Sequence, residues 1–145
     1  MMTHRPLLGL AIAACSCLAL NAAAIAETMT FTAKLDAASE VPAATGTGGG
    51  SVTASFDTAS KQLSWKGSYS GLTGDATAAH FHGPADVGAN GGVVVPIASF
   101  KSPFTGTAPL TDAQLADLAA GKWYINIHTA KNPNGEIRGQ VMKDK

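Results

Sequence analysis

The segment from Trp123 to Val141 constrains the fold most, because it has the pattern of a β-hairpin. Apolar side chains alternate with polar ones in both halves, and the turn sequence Asn132–Gly135 separates the halves. The apolar positions are Trp123, Ile125, Ile127, Ile137 and Val141. Strand side chains point alternately to the two faces of a sheet, and Pro and Gly favour a chain reversal. The segment therefore predicts two antiparallel strands that share an apolar face.

The turn also predicts the register of this hairpin. A plain four-residue turn would place Ile127 opposite Gln140, on the wrong face. A type I turn followed by a Gly bulge places Ile127 opposite Val141 and His128 opposite Gln140, so that the apolar faces agree. In that register Arg138 is diagonal to His128 and can reach it.

Similar alternation recurs earlier in the chain and predicts an all-β fold. The earlier runs begin near Phe31, Ser51, Leu63, Ala79, Val93 and Phe104. The 16 Gly and 7 Pro residues are typical of a turn-rich β protein, and Pro96 assigns its run to a sheet edge or a bulge. Thr111 and Gln114 form a capping box that predicts one short helix, which ends at Gly121. These patterns predict a β-sandwich or barrel of about eight strands.

Residues 1–26 have the pattern of a secretory signal peptide. Arg5 precedes a short apolar stretch, and Ala24-Ile25-Ala26 has the A-x-A form of a cleavage site. The alternative is a lipoprotein signal, because the residues before Cys15 resemble a lipobox and would leave the protein anchored through that cysteine. The apolar stretch is too short for a typical transmembrane span, so none is expected after signal removal. The predicted location is therefore periplasmic or secreted.

Cleavage after Ala26 would leave residues 27–145 as one domain without thiols. Both cysteines lie in the leader, so the domain would have no disulfide and no cysteine metal site. Loss of Arg5 changes 10 basic and 10 acidic residues to 9 and 10, a net charge of −1. This balance, without a basic run, argues against a nucleic-acid partner.

The three histidines of residues 27–145 lie in two predicted strands. His80 and His82 are two residues apart, so they share one face while Phe81 lies on the other. His128 lies on the polar face of the first hairpin strand. If the two strands are neighbours in the sheet, the three imidazole rings converge on its outer face.

Converging imidazoles predict a metal site at His80, His82 and His128. Imidazole is a good ligand for copper and zinc, and three histidines with water suit either ion; copper is the first candidate and zinc the second. Arg138 beside the site would attract small anions, and Gln140 is assigned to the same surroundings. The alternative is that these are surface histidines or histidines that bond to loops. No catalytic residue is assigned, because no Ser-His-Asp arrangement or close carboxylate pair is visible.

Six motifs in order resemble the CHRD domain, which is named for chordin and is common in exported bacterial proteins. They are Glu40-Val41-Pro42, residues 79–85 (AHFHGPA), 90–95 (NGGVVV), 110–115 (LTDAQL), 124–130 (YINIHTA) and 132–140 (NPNGEIRGQ). The resemblance spans roughly Met29 to Met142. It implies an immunoglobulin-like, Greek-key β-sandwich of antiparallel strands and implies little about activity.

The order of His80, His82, His128 and Arg138 is also similar to the copper-site pattern of Cu/Zn superoxide dismutases. In that family an H-x-H strand and a late-strand histidine bind copper, and an arginine of the following strand lies near it. This chain lacks that family's bridging histidine, its zinc ligands and its disulfide. These differences count against a second, zinc site and against dismutase activity.

The sequence leaves three functions open. The first is an exported CHRD binding module that carries a surface three-histidine copper or zinc site without catalysis. The second is a purely structural or protein-interaction β-sandwich, whose partner is another protein. The third, which the sequence favours least, is a copper-only enzyme similar to superoxide dismutase. The distances from His128 to His80 and His82 are the observation that bears most on this choice.

Overall fold

A computed structural model describes residues 25–145, and this part of the chain is all-β, as predicted. The elements are β1 (Thr28–Asp36), β2 (Gly49–Asp57), β3 (Gln62–Ser70), β4 (Ala76–His82), β5 (Val93–Pro96), β6 (Phe104–Pro109), α1 (Asp112–Ala119), β7 (Trp123–Thr129) and β8 (Ile137–Lys143). The predicted leader lies outside the described residues except for its last two positions. Within residues 25–145, no helix combines the length and apolar character needed to cross a bilayer.

All eight strands pair antiparallel in one nearly closed sheet, in the order β5-β4-β7-β8-β1-β2-β3-β6. The prediction of about eight antiparallel strands with one short helix is confirmed. Trp65 of β3 packs against Phe81 of β4 with 5.2 Å between ring centroids, although these strands lie near opposite ends of the order. The sheet therefore curls around a single core in a sandwich-like arrangement. Pro96 lies on β5, an edge strand, as predicted.

The predicted helix is confirmed in its details. The Thr111 hydroxyl accepts a hydrogen bond from the Gln114 backbone N–H at 3.2 Å, and the Gln114 side chain accepts one from the Thr111 N–H at 2.9 Å. Gly121 follows the helix with a φ of 71°, in the region that favours glycine. Leu118 is fully buried, so the helix is held against the core.

The predicted register of the last hairpin is wrong, although its faces are right. Ile127 of β7 lies opposite Ile137 of β8, and not opposite Val141. The displacement is an even number of residues, so every side chain keeps its predicted face. Arg138 consequently lies opposite Asn126.

The cause of the error is the connection between β7 and β8, which is wider than a bulged turn. The predicted turn forms, with the Gly135 N–H donating to the Asn132 carbonyl at 3.0 Å. This turn is only the tip of a longer loop. The hydrogen-bonded ladder between β7 and β8 ends before the turn, at the bond from the Glu136 N–H to the Ile127 carbonyl, which is 2.8 Å long. We call residues 130–136 the β7–β8 loop.

Every residue of β7 is buried, because both of its faces are covered. One face contributes Ile125 and Ile127 to the core. The other face carries polar side chains, and it lies beneath the β7–β8 loop, the β4–β5 loop (residues 83–92) and the β1–β2 loop (residues 37–48). The predicted histidine site is on this second face, where His128 is buried and His80 and His82 are half-buried, so loops cover part of the site and it is not an open surface.

Candidate metal centre

The two histidine-bearing strands are neighbours, and their three imidazoles converge. β4 pairs with β7 so that His80 lies opposite Asn126, His82 opposite Tyr124 and His128 opposite Ala78. Phe81 and Ile127, on the other face, are fully buried in the core. One ring nitrogen from each histidine can be chosen so that all three lie within 4.8 Å of one another. This spacing allows the three histidines to hold one metal ion.

The closest contact in the group joins Nδ1 of His80 to Nε2 of His128 at 3.1 Å. The ring centroids are 4.9 Å apart for His80 and His128, and 5.5 Å apart for His80 and His82. Those of His82 and His128 are 6.3 Å apart. The three rings therefore lie close together on one face of β4 and β7.

Loop carbonyls determine which ring nitrogen carries the proton in two of the histidines. Nδ1 of His82 lies 3.0 Å from the Gly91 carbonyl oxygen, and Nδ1 of His128 lies 2.9 Å from that of Pro133. A carbonyl oxygen can only accept, so both Nδ1 atoms are protonated donors. In the neutral rings Nε2 then has a free lone pair, which is the form a metal binds.

These tautomers also explain the contact between His80 and His128. Because Nε2 of His128 is unprotonated, Nδ1 of His80 must donate the hydrogen bond to it. Nε2 of His82 is buried without a hydrogen-bond partner of good geometry in the described part of the chain, although the Asn126 side chain lies close by. A buried acceptor without a partner costs about 1–3 kcal/mol, which an ion bound there would offset.

The surroundings of His80 and His82 favour the neutral form of both rings. Burial, and then the proximity of the other two histidines, lowers the pKa of His80 below 6.5. Burial, His128 and Arg138 lower the pKa of His82, and they outweigh the hydrogen bond to Gly91, which acts in the opposite direction. His128 is only 8% exposed. Neutral rings are the state that a cation requires.

Arg138 and Gln140, which the sequence assigned to the surroundings of the site, both bind the β4–β5 loop. Arg138 is 2% exposed, and its guanidinium donates to the Ala89 carbonyl and, at 2.9 Å, to Oδ1 of Asn90. The Gln140 amide donates to the carbonyls of Ala85 at 3.0 Å and Gly121 at 2.7 Å. Their polar groups therefore reach the loop that covers the histidines, and Gln140 lies opposite Tyr124 instead of His128.

Glu40 and Glu136 are buried carboxyl groups that the sequence analysis did not single out. Glu40 is 6% exposed; burial raises its pKa to about 7, although the Arg138 charge and a hydrogen bond from Asn126 oppose the rise. Glu136 accepts hydrogen bonds from Thr129 and from other residues around the β7–β8 loop. Both acids lie in loop motifs whose sequence gives no sign of burial.

The comparisons with known proteins identify the domain. No curated protein and no solved structure matches the chain. The family model described as "CHRD domain" matches residues 31–141, which include all three histidines and all eight strands in whole or in part. The resemblance noted in the sequence is thus confirmed, and the chain belongs to the CHRD domain family.

Proposed function

We propose that this CHRD domain is an exported binding module that holds one copper ion through His80, His82 and His128, without catalysis. The observation that carries the proposal is the convergence of three ring nitrogens within 4.8 Å of one another, from strands that are hydrogen-bonded neighbours. The ligand atoms would be Nε2 of His82, Nε2 of His128 and one ring nitrogen of His80, and the bound ion would replace the hydrogen bond between Nδ1 of His80 and Nε2 of His128. The Gly91 and Pro133 carbonyls hold His82 and His128 by their Nδ1 atoms, and such hydrogen bonds to ligand histidines are typical of metal sites.

The ligand chemistry supports copper over zinc. All three candidate ligands are imidazoles, which suit both ions, and the general order of affinity among divalent ions places Cu²⁺ above Zn²⁺. The domain after the predicted leader contains no cysteine, so no thiolate is available to strengthen zinc binding. Zinc remains the second candidate.

Limited access supports binding without turnover. His128 is 8% exposed, and the β4–β5 and β7–β8 loops contact the rings through Gly91 and Pro133. Arg138 is 2% exposed and already bound to Asn90, so its charge is poorly placed to meet a small anion arriving from solvent. A covered site of this kind suits storage or carriage of the ion. Superoxide turnover by the copper-loaded protein would contradict the non-catalytic part of the proposal.

The test is a titration of the purified protein with Cu²⁺, followed by calorimetry and by electron paramagnetic resonance. We expect one ion per chain, with superhyperfine splitting from imidazole nitrogens. His80→Ala and His128→Ala should each abolish stoichiometric binding. Asp112→Ala is the control, because it removes an exposed side chain that is not part of the histidine group, and it should leave binding unchanged.

Two results would refute the metal proposal. One is the absence of stoichiometric copper binding to the wild-type protein. The other is equal binding by wild type, His80→Ala and His128→Ala, which would place the ion elsewhere. In either case the structural or protein-interaction β-sandwich becomes the preferred function. A competition titration with Zn²⁺ tests the choice of ion, and tighter zinc binding would replace copper by zinc.

Export is a separate part of the proposal, and it rests on the leader pattern in residues 1–26. Expression of the full chain in a Gram-negative bacterium, followed by fractionation and N-terminal sequencing, tests it. We expect periplasmic protein that begins at Glu27. A lipid-modified chain that begins at Cys15 would support the lipoprotein alternative, and an uncleaved cytoplasmic chain would contradict both.

A further inference from the structure

The β4–β5 loop hydrogen-bonds to the candidate metal centre through the carbonyl of Gly91. This carbonyl accepts the hydrogen bond from Nδ1 of His82 at 3.0 Å, and the Tyr124 hydroxyl lies 3.3 Å from the same oxygen. The position of Gly91 therefore decides which nitrogen of His82 carries the proton. A residue that holds Gly91 in place can therefore affect the site without being a metal ligand.

Arg138 holds the residues immediately before Gly91. Its guanidinium donates to the Ala89 carbonyl and to Oδ1 of Asn90, and the Asn90 amide in turn donates to the Val41 carbonyl at 2.9 Å. One buried side chain thus ties two consecutive loop residues to β8. Asn90 links that pair to the β1–β2 loop.

Arg138 also reaches His82 by a second route, through a stack of side chains. Its guanidinium carbon lies 3.4 Å from the centroid of the Tyr124 ring. The Tyr124 and His82 rings are stacked, with 4.8 Å between centroids and 3° between planes. The Tyr124 ring therefore lies between the cation and the imidazole, and it limits the movement of the imidazole.

The geometry points to Arg138 as a positioning residue that keeps His82 in its metal-binding tautomer, by fixing the Gly91 carbonyl and the Tyr124 ring. This inference rests on the proposed metal function for its importance, but its structural claim concerns the metal-free protein. It differs from an anion-attracting role, because every Arg138 contact described above is with the protein itself.

Electrostatics and positioning predict opposite effects when Arg138 is neutralised. A buried cation near the site repels a metal ion, so its removal would strengthen copper binding if charge were its main contribution. Loss of positioning would instead weaken copper binding, by about 10–100-fold, as is typical when groups that orient ligand histidines are removed. The sign of the change therefore distinguishes the two roles.

The experiment uses Arg138→Met and Asn90→Ala, with Gln140→Ala as the matched control. Asn90→Ala removes one guanidinium partner at an exposed position and keeps the buried cation, so it should fold even if Arg138→Met does not. Gln140 holds the same loop near its start, through the Ala85 carbonyl. Gln140→Ala therefore loosens the loop without releasing Gly91 directly.

The first readout is the tautomer of His82 in the metal-free protein, measured by long-range proton–nitrogen NMR of the imidazole ring. We expect the Nδ1–H form in the wild type and in Gln140→Ala, and a mixture of both tautomers in Asn90→Ala and Arg138→Met. The second readout is the affinity for Cu²⁺, which should fall about 10–100-fold in Arg138→Met and by less in Asn90→Ala.

Three results would overturn the inference. They are a wild-type His82 tautomer in both Asn90→Ala and Arg138→Met, an equal tautomer change in Gln140→Ala, and stronger copper binding by Arg138→Met. If the wild type binds no copper, the proposed function fails, while the tautomer measurement still decides whether Arg138 positions His82. The two failures are therefore distinguishable.

Discussion

Replacing Glu136 with glutamine tests how the β7–β8 loop is held over the histidines. Glu136 is fully buried, and its carboxylate accepts hydrogen bonds from the Thr73 N–H and hydroxyl at 2.7 Å, from the Thr129 hydroxyl and from the Asn132 amide at 3.0 Å. Every partner is a donor, so two carboxylate oxygens suit this site. The amide nitrogen of glutamine does not.

The magnitude of the effect follows from these contacts. If the glutamine oxygen takes the place of Oε2, its NH₂ group faces the Thr73 N–H, and one buried backbone donor loses its partner at a cost of about 1–3 kcal/mol. The remaining hydrogen bonds no longer have a charged acceptor. This costs roughly 1 kcal/mol more, after subtraction of the gain from burying a neutral amide instead of a charged carboxylate. We expect Glu136→Gln to lower the free energy of unfolding by about 3 kcal/mol.

The assay is urea denaturation at pH 7, together with a thermal melt. A loss of about 3 kcal/mol in a domain of this size corresponds to a fall of roughly 10 °C in Tm. Asp86→Asn is the matched control, because it makes the same chemical change where the carboxylate side chain is 80% exposed and 3.9 Å from the Lys122 ammonium. The control should change the free energy of unfolding by less than about 0.5 kcal/mol.

The pH dependence supplies the refuting result. Burial alone would raise the pKa of Glu136, but the hydrogen bonds from Thr129, Thr73 and Asn132 outweigh it and lower the pKa from 4.5 to about 2. A carboxyl with a lowered pKa stabilises the fold above its unfolded value and loses that contribution as the pH falls. The difference between wild type and Glu136→Gln should therefore shrink between pH 4.5 and pH 2. A difference below about 1 kcal/mol at pH 7, or one that does not change over this range, would refute the reasoning.

Three further predictions follow from other parts of the site and fold. Because burial raises the pKa of Glu40 from 4.5 to about 7, urea denaturation should show wild type losing about 2 kcal/mol relative to Glu40→Gln as the pH rises from 4.5 through 7. Because burial lowers the pKa values of His80 and His82, protons should compete with copper for these two rings only at a lower pH than for free imidazoles, which calorimetric titrations with copper at a series of pH values measure. Thr111→Ala removes the N-cap of α1 and should cost about 1 kcal/mol in thermal unfolding, whereas Thr111→Ser should cost much less.

The histidine cluster could be predicted from the sequence because it depends on local periodicity and on a single pairing. The two-residue repeat of a strand places His80 and His82 on one face whatever the rest of the fold does. His128 follows the same rule in its own strand. The pairing of β4 with β7 was the only non-local condition, and the structure meets it.

The hairpin register could not be predicted in the same way, because a side chain of the loop determines it. The turn residues Asn132–Gly135 specify a reversal, but they do not specify where the ladder ends. Glu136 binds Thr129 and Asn132, and these bonds hold the loop open beyond the turn. The alternation of apolar and polar residues predicts the faces correctly, because an even displacement preserves them, but it does not predict which residues pair.

The loops that cover part of the site could not be predicted from the sequence either. The β4–β5 loop is rich in glycine and reads as solvent-exposed, yet Asn90 and Gly91 reach Arg138 and His82. These contacts join residues 9 and 48 positions apart along the chain, and no periodicity indicates them. Glu40 is buried for a similar reason, because its loop folds onto Asn126.

The two-sided burial of β7 has a consequence for how an ion would enter and leave. Amide protons of a strand enclosed on both faces exchange with solvent only when the whole domain opens, so we expect β7 to show the slowest hydrogen exchange in the molecule. His128 lies in this slow region, whereas Gly91 and Pro133 lie on loops outside the strand ladder, which can open locally when the hydrogen bonds of Arg138 and Glu136 break. Loading and release of an ion would then depend on the movement of these loops. Neither process would require the sheet to unfold.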